Sequence, residues 1–218
     1  VSIDFNAALQ HAGALQRVVT LRELVAATRE AVLTQTRYRH AWLALFESRD
    51  ATHARLVQFS GAAEVEELAF ATCPLIPIVG DPMMEAIVAG RAPVVVDDAR
   101  VDPRTNKDFV ARLGNRTIIN VPLVLGTELY GSLGVGTFGD EGVRPPTPAE
   151  LEWLTVLGLQ LAAAYARLQL LEQQRADARA RQELERHLEA LQRVELMGVL
   201  ASGVAHDLNN YLAVIQTG

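Results

Sequence analysis

Three polar residues near the C-terminus, His206, Asp207 and Asn210, stand at a spacing that suits nucleophilic chemistry. Around them Leu200, Val204, Leu208, Tyr211, Leu212 and Ile215 recur every three to four residues, so on a helix they share one buried face. His206 lies two residues from both Val204 and Leu208, about 200° away at about 100° per residue, and is expected to face solvent. Asn210 stands one turn further along that face, and Asp207 flanks the imidazole. A carboxylate that accepts the proton of one ring nitrogen leaves the other nitrogen as an attacking lone pair. An exposed imidazole on a helix is by itself ordinary surface. The whole string has to carry the argument.

A helix must hold these residues, and a long apolar pattern leads into it. Thr147-Pro148-Ala149-Glu150 is a helix start, with Thr147 as N-cap, Pro148 at the first helical position and Glu150 closing a capping box. No proline follows it. Leu154, Leu157, Leu161, Ala164, Leu168 and Leu171 alternate at three and four residues, as in the seam of a coiled coil. The seam fades between Glu172 and Gln182 and returns out of phase at Leu184, Leu188 and Leu191, like a stutter in a supercoil. About seventy residues at about 1.5 Å each make a rod on the order of 100 Å. Such a rod is expected not to fold back on a small domain, and to dimerise. Its mixed charges from Glu172 to Glu195 read as a solvated face.

Upstream, residues 4 to 36 have helical apolar spacing with one lapse at Arg22. From His40 to about Val124 the texture becomes short apolar runs broken by turn residues. Ala41–Glu47 and Ala54–Phe59 read as a strand pair, joined through Ser48-Arg49-Asp50. Pro93–Val96, Ile118–Leu125 and Leu129–Thr137 read as three more strands, the last two joined by a hairpin at Gly126-Thr127-Glu128. Gly131, Gly134 and Gly136 interrupt the last strand. Met83–Ala89 and Asp108–Leu113 read as short helices, capped near Gly90 and Gly114. The fold class is α+β, an antiparallel sheet flanked by helices and followed by a long coiled-coil helix.

Composition narrows the function. Of 218 residues, 50% are hydrophobic and 21% charged, a soluble globular mixture. Twenty Lys and Arg against 26 Asp and Glu leave a net charge of −6, which disfavours nucleic-acid binding. Cys73 is the only cysteine and forms no internal disulfide. No uninterrupted apolar run approaches the roughly 18–20 residues of a membrane helix, so no membrane segment is expected. His40 and His53 lack Cys or carboxylate neighbours at ligand spacing, so no metal site is expected. Asp97, Asp98, Arg100, Asp102 and Arg104 form a charged loop whose default duty is turn-making, with ion pairing at a pocket rim as the sharper alternative. The chain opens on Val1 and closes on Gly218 inside an apolar pattern, and is expected to be a piece of a longer protein.

GVAHDLNNYLAVI, with its preceding rod, closely resembles the phosphoacceptor box of sensor histidine kinases of the dimerisation and phosphotransfer type. The resemblance implies that His206 is the phosphorylated residue and that Asp207 assists phosphoryl transfer. It puts Asn210 where the family positions water for dephosphorylating the partner regulator. Leu208 stands where many relatives carry Phe. It further implies ATP and Mg bound by a catalytic domain absent from this chain, and a response regulator receiver domain as partner. No glycine loop here cradles a phosphate, because Gly131, Gly134 and Gly136 lie in a strand. The chain alone is expected to bind no ATP and to be inactive.

Residues of about 10 to 170 resemble a GAF domain. The likeness rests on the strand pair at Trp42–Phe59, GRAPVVVDDARVDPR at 90–104, INVPLVLGTELYGSLGVGT at 119–137 and PTPAELEWL at 146–154. It implies a six-stranded or similar sheet with the first and last helices packed on one face. The other face would carry a pocket under the 61–114 connections, for a small-molecule ligand not identifiable from sequence. The domain boundaries read as 1–170 for the sensor, 171–192 for the coiled coil and 193–218 for the first part of the phosphoacceptor helix. A cytoplasmic homodimer through helices 5–36 and 147–216 is expected. The alternative function is a non-catalytic dimeric ligand-binding module feeding another output. A bilin on Cys73 would make a photosensor, but no His follows Cys73, and a buried apolar thiol is the plainer reading. Asn106-Lys107, with Phe138 and Asp140-Glu141, faintly resembles a cyclic-nucleotide-binding signature with altered spacing.

Overall fold

A computed structural model describes residues 3–48, 51–60 and 74–216, with side chains through Glu189 except 58–60 and 109. It divides into two units, Val1–Gln169 and Leu170–Gly218. In the first unit, six strands among the described residues form one sheet in the order β3-β2-β1-β6-β5-β4, with every neighbouring pair antiparallel. They are β1 His40–Leu45, β2 His53–Ser60, β3 Leu75–Pro77, β4 Val94–Val96, β5 Asn115–Leu125 and β6 Glu128–Phe138. The α+β sheet read from the sequence is the fold, with the short β3 as an addition.

Alternation along the strands assigns the two faces. Leu43 and Leu45 of β1, Leu133 and Val135 of β6, and Ile119, Val121 and Leu123 of β5 join one core cluster. Ala44 and Ile118, from the opposite parity, join a second cluster with Trp42 packed against it. Helices α1 (Phe5–Arg17), α2 (Leu21–Gln35) and the start of α5 (Pro148–Gln216) supply the first cluster. Helices α3 (Pro82–Gly90) and α4 (Lys107–Leu113) lie on the second side.

The helical segment expected over 4–36 is two helices. Asp4 caps α1, its Oδ1 accepting from the Asn6 and Ala7 amides at 2.9 and 3.3 Å. Thr20 caps α2 by accepting from the Glu23 amide at 3.2 Å, while the Glu23 carboxylate accepts from the Val19 amide at 2.7 Å. Between them the carbonyls of Leu15, Gln16 and Val18 all accept from Arg167, a cation placed on the orphan acceptors of a helix C-terminus. The break is therefore built in.

The end of α3 also departs from expectation. Arg91, not Gly90, adopts the left-handed conformation that closes the helix, at φ 46°. Gly114 ends α4 as read, at φ 78°.

The start of α5 packs on the sheet as the GAF resemblance implies, but the coiled-coil seam read from its spacing is corrected. Its cap is as the sequence implies: Thr147 and Glu150 exchange hydrogen bonds at 2.9 and 3.2 Å. Its seam, however, is not free for a partner coil over the first turns. Leu154, Leu157, Leu161, Ala164 and Leu168 are buried in the domain's own core beside Trp153 and Tyr165. Over about four turns, a 3.5-residue repeat and a 3.6-residue repeat select the same stripe, so spacing does not tell a coiled coil from a core helix. Part of α5, Pro148–Glu189, has the length and mean hydropathy (1.3 at best) of a membrane span. Its apolar stripe already has a partner in the sheet.

In the second unit, α5 continues as helix to Gln216. From Glu172 to Glu189 every residue is exposed, Leu184 and Leu188 among them.

Candidate ligand-binding site

The sheet face away from the long helices holds a cavity of about 320 Å³. Its floor is Trp42 on β1. Trp42 pairs across the ladder with Gly134 on β6, and a Cβ on Gly134 would lie 1.9 Å from the indole ring. A Cβ on Gly136 would lie 2.3 Å from the Thr117 carbonyl oxygen. The glycines of β6 thus leave bare backbone on which the indole lies flat. Phe138 forms a wall, edge-on to Trp42 with centroids 6.3 Å apart and planes at 78°. Met83 and Met84 of α3 add polarizable walls opposite the sheet.

Among the described residues, three buried polar ones line this space: Asn115, Asn120 and Ser132. Ser132 is fully buried, and its Oγ has no hydrogen-bond partner among the described residues. The Asn120 amide donates to the sulfur of Met83, a weak acceptor. Leaving a buried hydroxyl unpaired costs about 1–3 kcal/mol, so such a group marks a place where something else is accommodated.

The rim explains the charged loop. Asp98 pairs with Arg100 at 2.7 Å inside a turn, and that guanidinium holds the Asp98 carboxyl down at about 2. Asp102 pairs with Arg104 at 2.6 Å, and the hydrogen bonds from Arg104 lower the Asp102 carboxyl. Arg104 also donates to the Val95 carbonyl at 2.8 Å and reaches the cavity lining. Turn-making and rim pairing are both realised, by different members of the cluster. Lys107 donates to the carbonyls of Ala99 and Asp102 and to Thr105 Oγ1, so it organises the loop. Asn106 accepts from the Asp108 amide at 3.0 Å, at the start of α4.

His40 sits edge-on to Phe138, 4.7 Å between centroids, with Glu141 3.4 Å from its Nε2. His53 contacts Thr52 Oγ1 at 2.9 Å. Cys73 lies outside the described residues, as do Arg49 and Asp50. His206, Asp207 and Asn210 lie on the helical backbone of α5, beyond its described side chains. Spacing did not point to Trp42, Asn120 or Ser132, because the cavity is assembled from strands and helices far apart in sequence. One signal was present: glycines recurring inside β6 mark a close approach to its backbone.

A sheet covered by helices on one face and hollowed on the other defines an α+β domain built around a small cavity. The GAF domain family matches residues 18–166, and the chain belongs to that family of signal-sensing modules. Solved structures with this fold include a GAF domain/HD domain protein from Geobacter sulfurreducens. It is 18% identical, with TM-score 0.56, over 72% of this chain and 98% of that one. The GAF domain of a phosphoenolpyruvate-protein phosphotransferase from Coxiella burnetii is 14% identical, with TM-score 0.60, over 77% and 95%. Free methionine-R-sulfoxide reductase from Neisseria meningitidis, solved with its substrate, is 18% identical, with TM-score 0.56, over 78% and 96%. At these identities the likeness establishes the fold alone. No curated protein matches the chain.

Proposed function

We propose that this chain is the sensory and phosphoacceptor portion of a two-component sensor histidine kinase, acting in the cytoplasm. One observation carries the reading: α5 begins at a cap inside the GAF unit and continues unbroken to Gln216, through the string that surrounds His206. A ligand-responsive domain and a phosphoacceptor string on one helix are the parts a transmitter requires. In this reading a ring nitrogen of His206 attacks the γ-phosphorus of ATP held with Mg by a separate catalytic domain. The N–P bond forms as the bond to the leaving ADP oxygen breaks, and the phosphoryl group then passes to an aspartate of a response regulator. Asp207 accepts the proton of the second ring nitrogen and keeps the attacking lone pair free. Asn210, one turn on, positions water when the regulator is dephosphorylated.

Two copies pair in parallel through apolar positions that the core leaves exposed. In the first unit these include Phe5 and Leu9 of α1 and Val156 and Leu159 of α5; in the second, Leu184 and Leu188. The segments are then 1–170 as sensor, 171–192 as coiled coil and 193–218 as the start of the acceptor helix.

The test is phosphorylation of a protein that joins this chain to its catalytic domain, using γ-labelled ATP. The expected product is an acid-labile label that vanishes in His206→Gln. A folded dimer that binds nucleotide and takes no label would overturn the reading, in favour of a ligand-binding module with another output.

A further inference from the structure

The cavity's lining specifies a ligand chemistry. This deepens the sensory half of the reading above and is independent of its phosphoryl-transfer half. One face of the Trp42 indole is covered by the glycine backbone of β6, so the face that lines the cavity is the opposite one. With Phe138 standing edge-on beside it, this is a platform for a flat ring, since aromatic groups stack offset or meet edge to face. A volume of about 320 Å³ is at the small end for ligand pockets.

The polar groups sit at one side of that platform. Asn120 lies directly across from Gly134 in the β5–β6 ladder. Ser132 lies two residues along β6 from Gly134, on the same face. Among the described residues the Ser132 hydroxyl has no partner and the Asn120 amide donates to a thioether, so the first can gain, and the second exchange, a partner on the donor-acceptor edge of a heterocycle.

Charge sets the remaining limit. Among the described lining residues only Asp81 and Arg104 are charged. Arg104 is bound to Asp102 through two nitrogens, at 3.0 and 2.6 Å, and to the Val95 carbonyl. The Asp81 carboxylate occupies the N-terminus of α3, accepting from the Met83 and Met84 amides at 3.0 Å each. At the start of α3 the anion position is thus already filled by an anion, and at the start of α4 the Asp108 amide is taken by the Asn106 side chain. Lys107 is engaged with loop carbonyls, as described above.

We infer that the cavity takes an uncharged, planar heteroaromatic compound of one or two fused rings, stacked on Trp42 with its polar edge against Ser132 and Asn120. It rejects phosphate esters of the same rings.

Calorimetric titration of the 218-residue chain, without ATP, tests this with adenine, uracil and indole as neutral probes. Adenosine 3′,5′-cyclic monophosphate is the matched anion. At least one neutral probe binds one to one at about millimolar concentration or below, and the cyclic nucleotide does not. Trp42→Ala weakens that binding by about tenfold or more, and Trp42→Phe restores most of it. Ser132→Ala, which removes one oxygen from a folded protein, weakens binding of a hydrogen-bonding probe about fivefold. Tighter binding of the cyclic nucleotide than of adenine overturns the inference. So does probe binding indifferent to both the Trp42 and Ser132 substitutions, or no neutral probe binding to well-folded chain. Phosphorylation of His206 is read in a separate assay, so either result can fail while the other stands.

Discussion

The two faces of the sheet use the same strands for opposite ends. On the helix side, Leu43, Leu133 and Ile119 meet Leu154, Leu157 and Leu161 in a continuous apolar core. On the other side, the alternate residues include Trp42, Ser132, Gly134 and Asn120, with space left above them. A period of two lets one strand serve a packed face and a hollow face without compromise. The difference teaches where stability and specificity reside. Filling the first face holds the domain together; the second face keeps a cavity.

Removing buried carbon from the packed face is the strongest way to break this contrast. Leu157→Ala, at a fully buried position, is expected to lose about 2–5 kcal/mol of unfolding free energy in urea titration. A loss under about 1 kcal/mol would mean that the face is not the close-packed core described.

Next in size is the polar latch at the start of α5. Glu150 is fully buried and accepts five hydrogen bonds, from the Arg37 amide, Nε and Nη2 and from the Thr147 amide and hydroxyl. Burial alone would raise its carboxyl, but the Arg37 and Thr147 donors outweigh it and hold it at about 2. A carboxyl whose folded value is depressed adds stability above its unfolded value, about 4.5, and loses it as pH falls toward 2. The expected loss across that window is about 3 kcal/mol. Glu150→Gln should flatten this part of the pH–stability curve measured by thermal unfolding. An unchanged acid slope in the variant would place the acid sensitivity elsewhere.

How much of this was legible follows the same division. The packed face could be read because its signals are local: alternation in β5 and β6, and the Thr147-to-Glu150 cap of α5. Even there, the break after Val18 is hidden because Val18 and Val19 continue the helical apolar spacing, although Thr20 with Glu23 three residues on has the capping-box sequence. The stripe from Leu154 to Leu168 is legible as a buried stripe from its spacing, but its partner, the domain's own sheet, follows only from the GAF resemblance. β3 is only Leu75–Pro77, too short to alternate. The GAF resemblance implies a pocket on the hollow face, but not which residues line it. Its residues come from β1, α3, β5 and β6, and no spacing within one segment links Trp42 to Gly134 or Ser132. His206, Asp207 and Asn210 were legible for the opposite reason: four consecutive turns of sequence hold the whole string.

The smallest expected effect sharpens the contrast most. Ser132 is buried in the hollow face, yet its hydroxyl pairs with nothing among the described residues. On a face selected for packing, that oxygen would be a defect, and replacing it by carbon would stabilise the fold. Ser132→Ala is therefore expected to leave unfolding free energy unchanged or raise it by up to about 1 kcal/mol, although the residue is as buried as Leu157. Urea titration of the ligand-free chain measures this directly. A loss comparable to that of Leu157→Ala would show that the hydroxyl supports the sheet and is not held for a ligand. A gain in stability alongside weaker ligand binding is the signature of a residue kept for recognition at the expense of the fold.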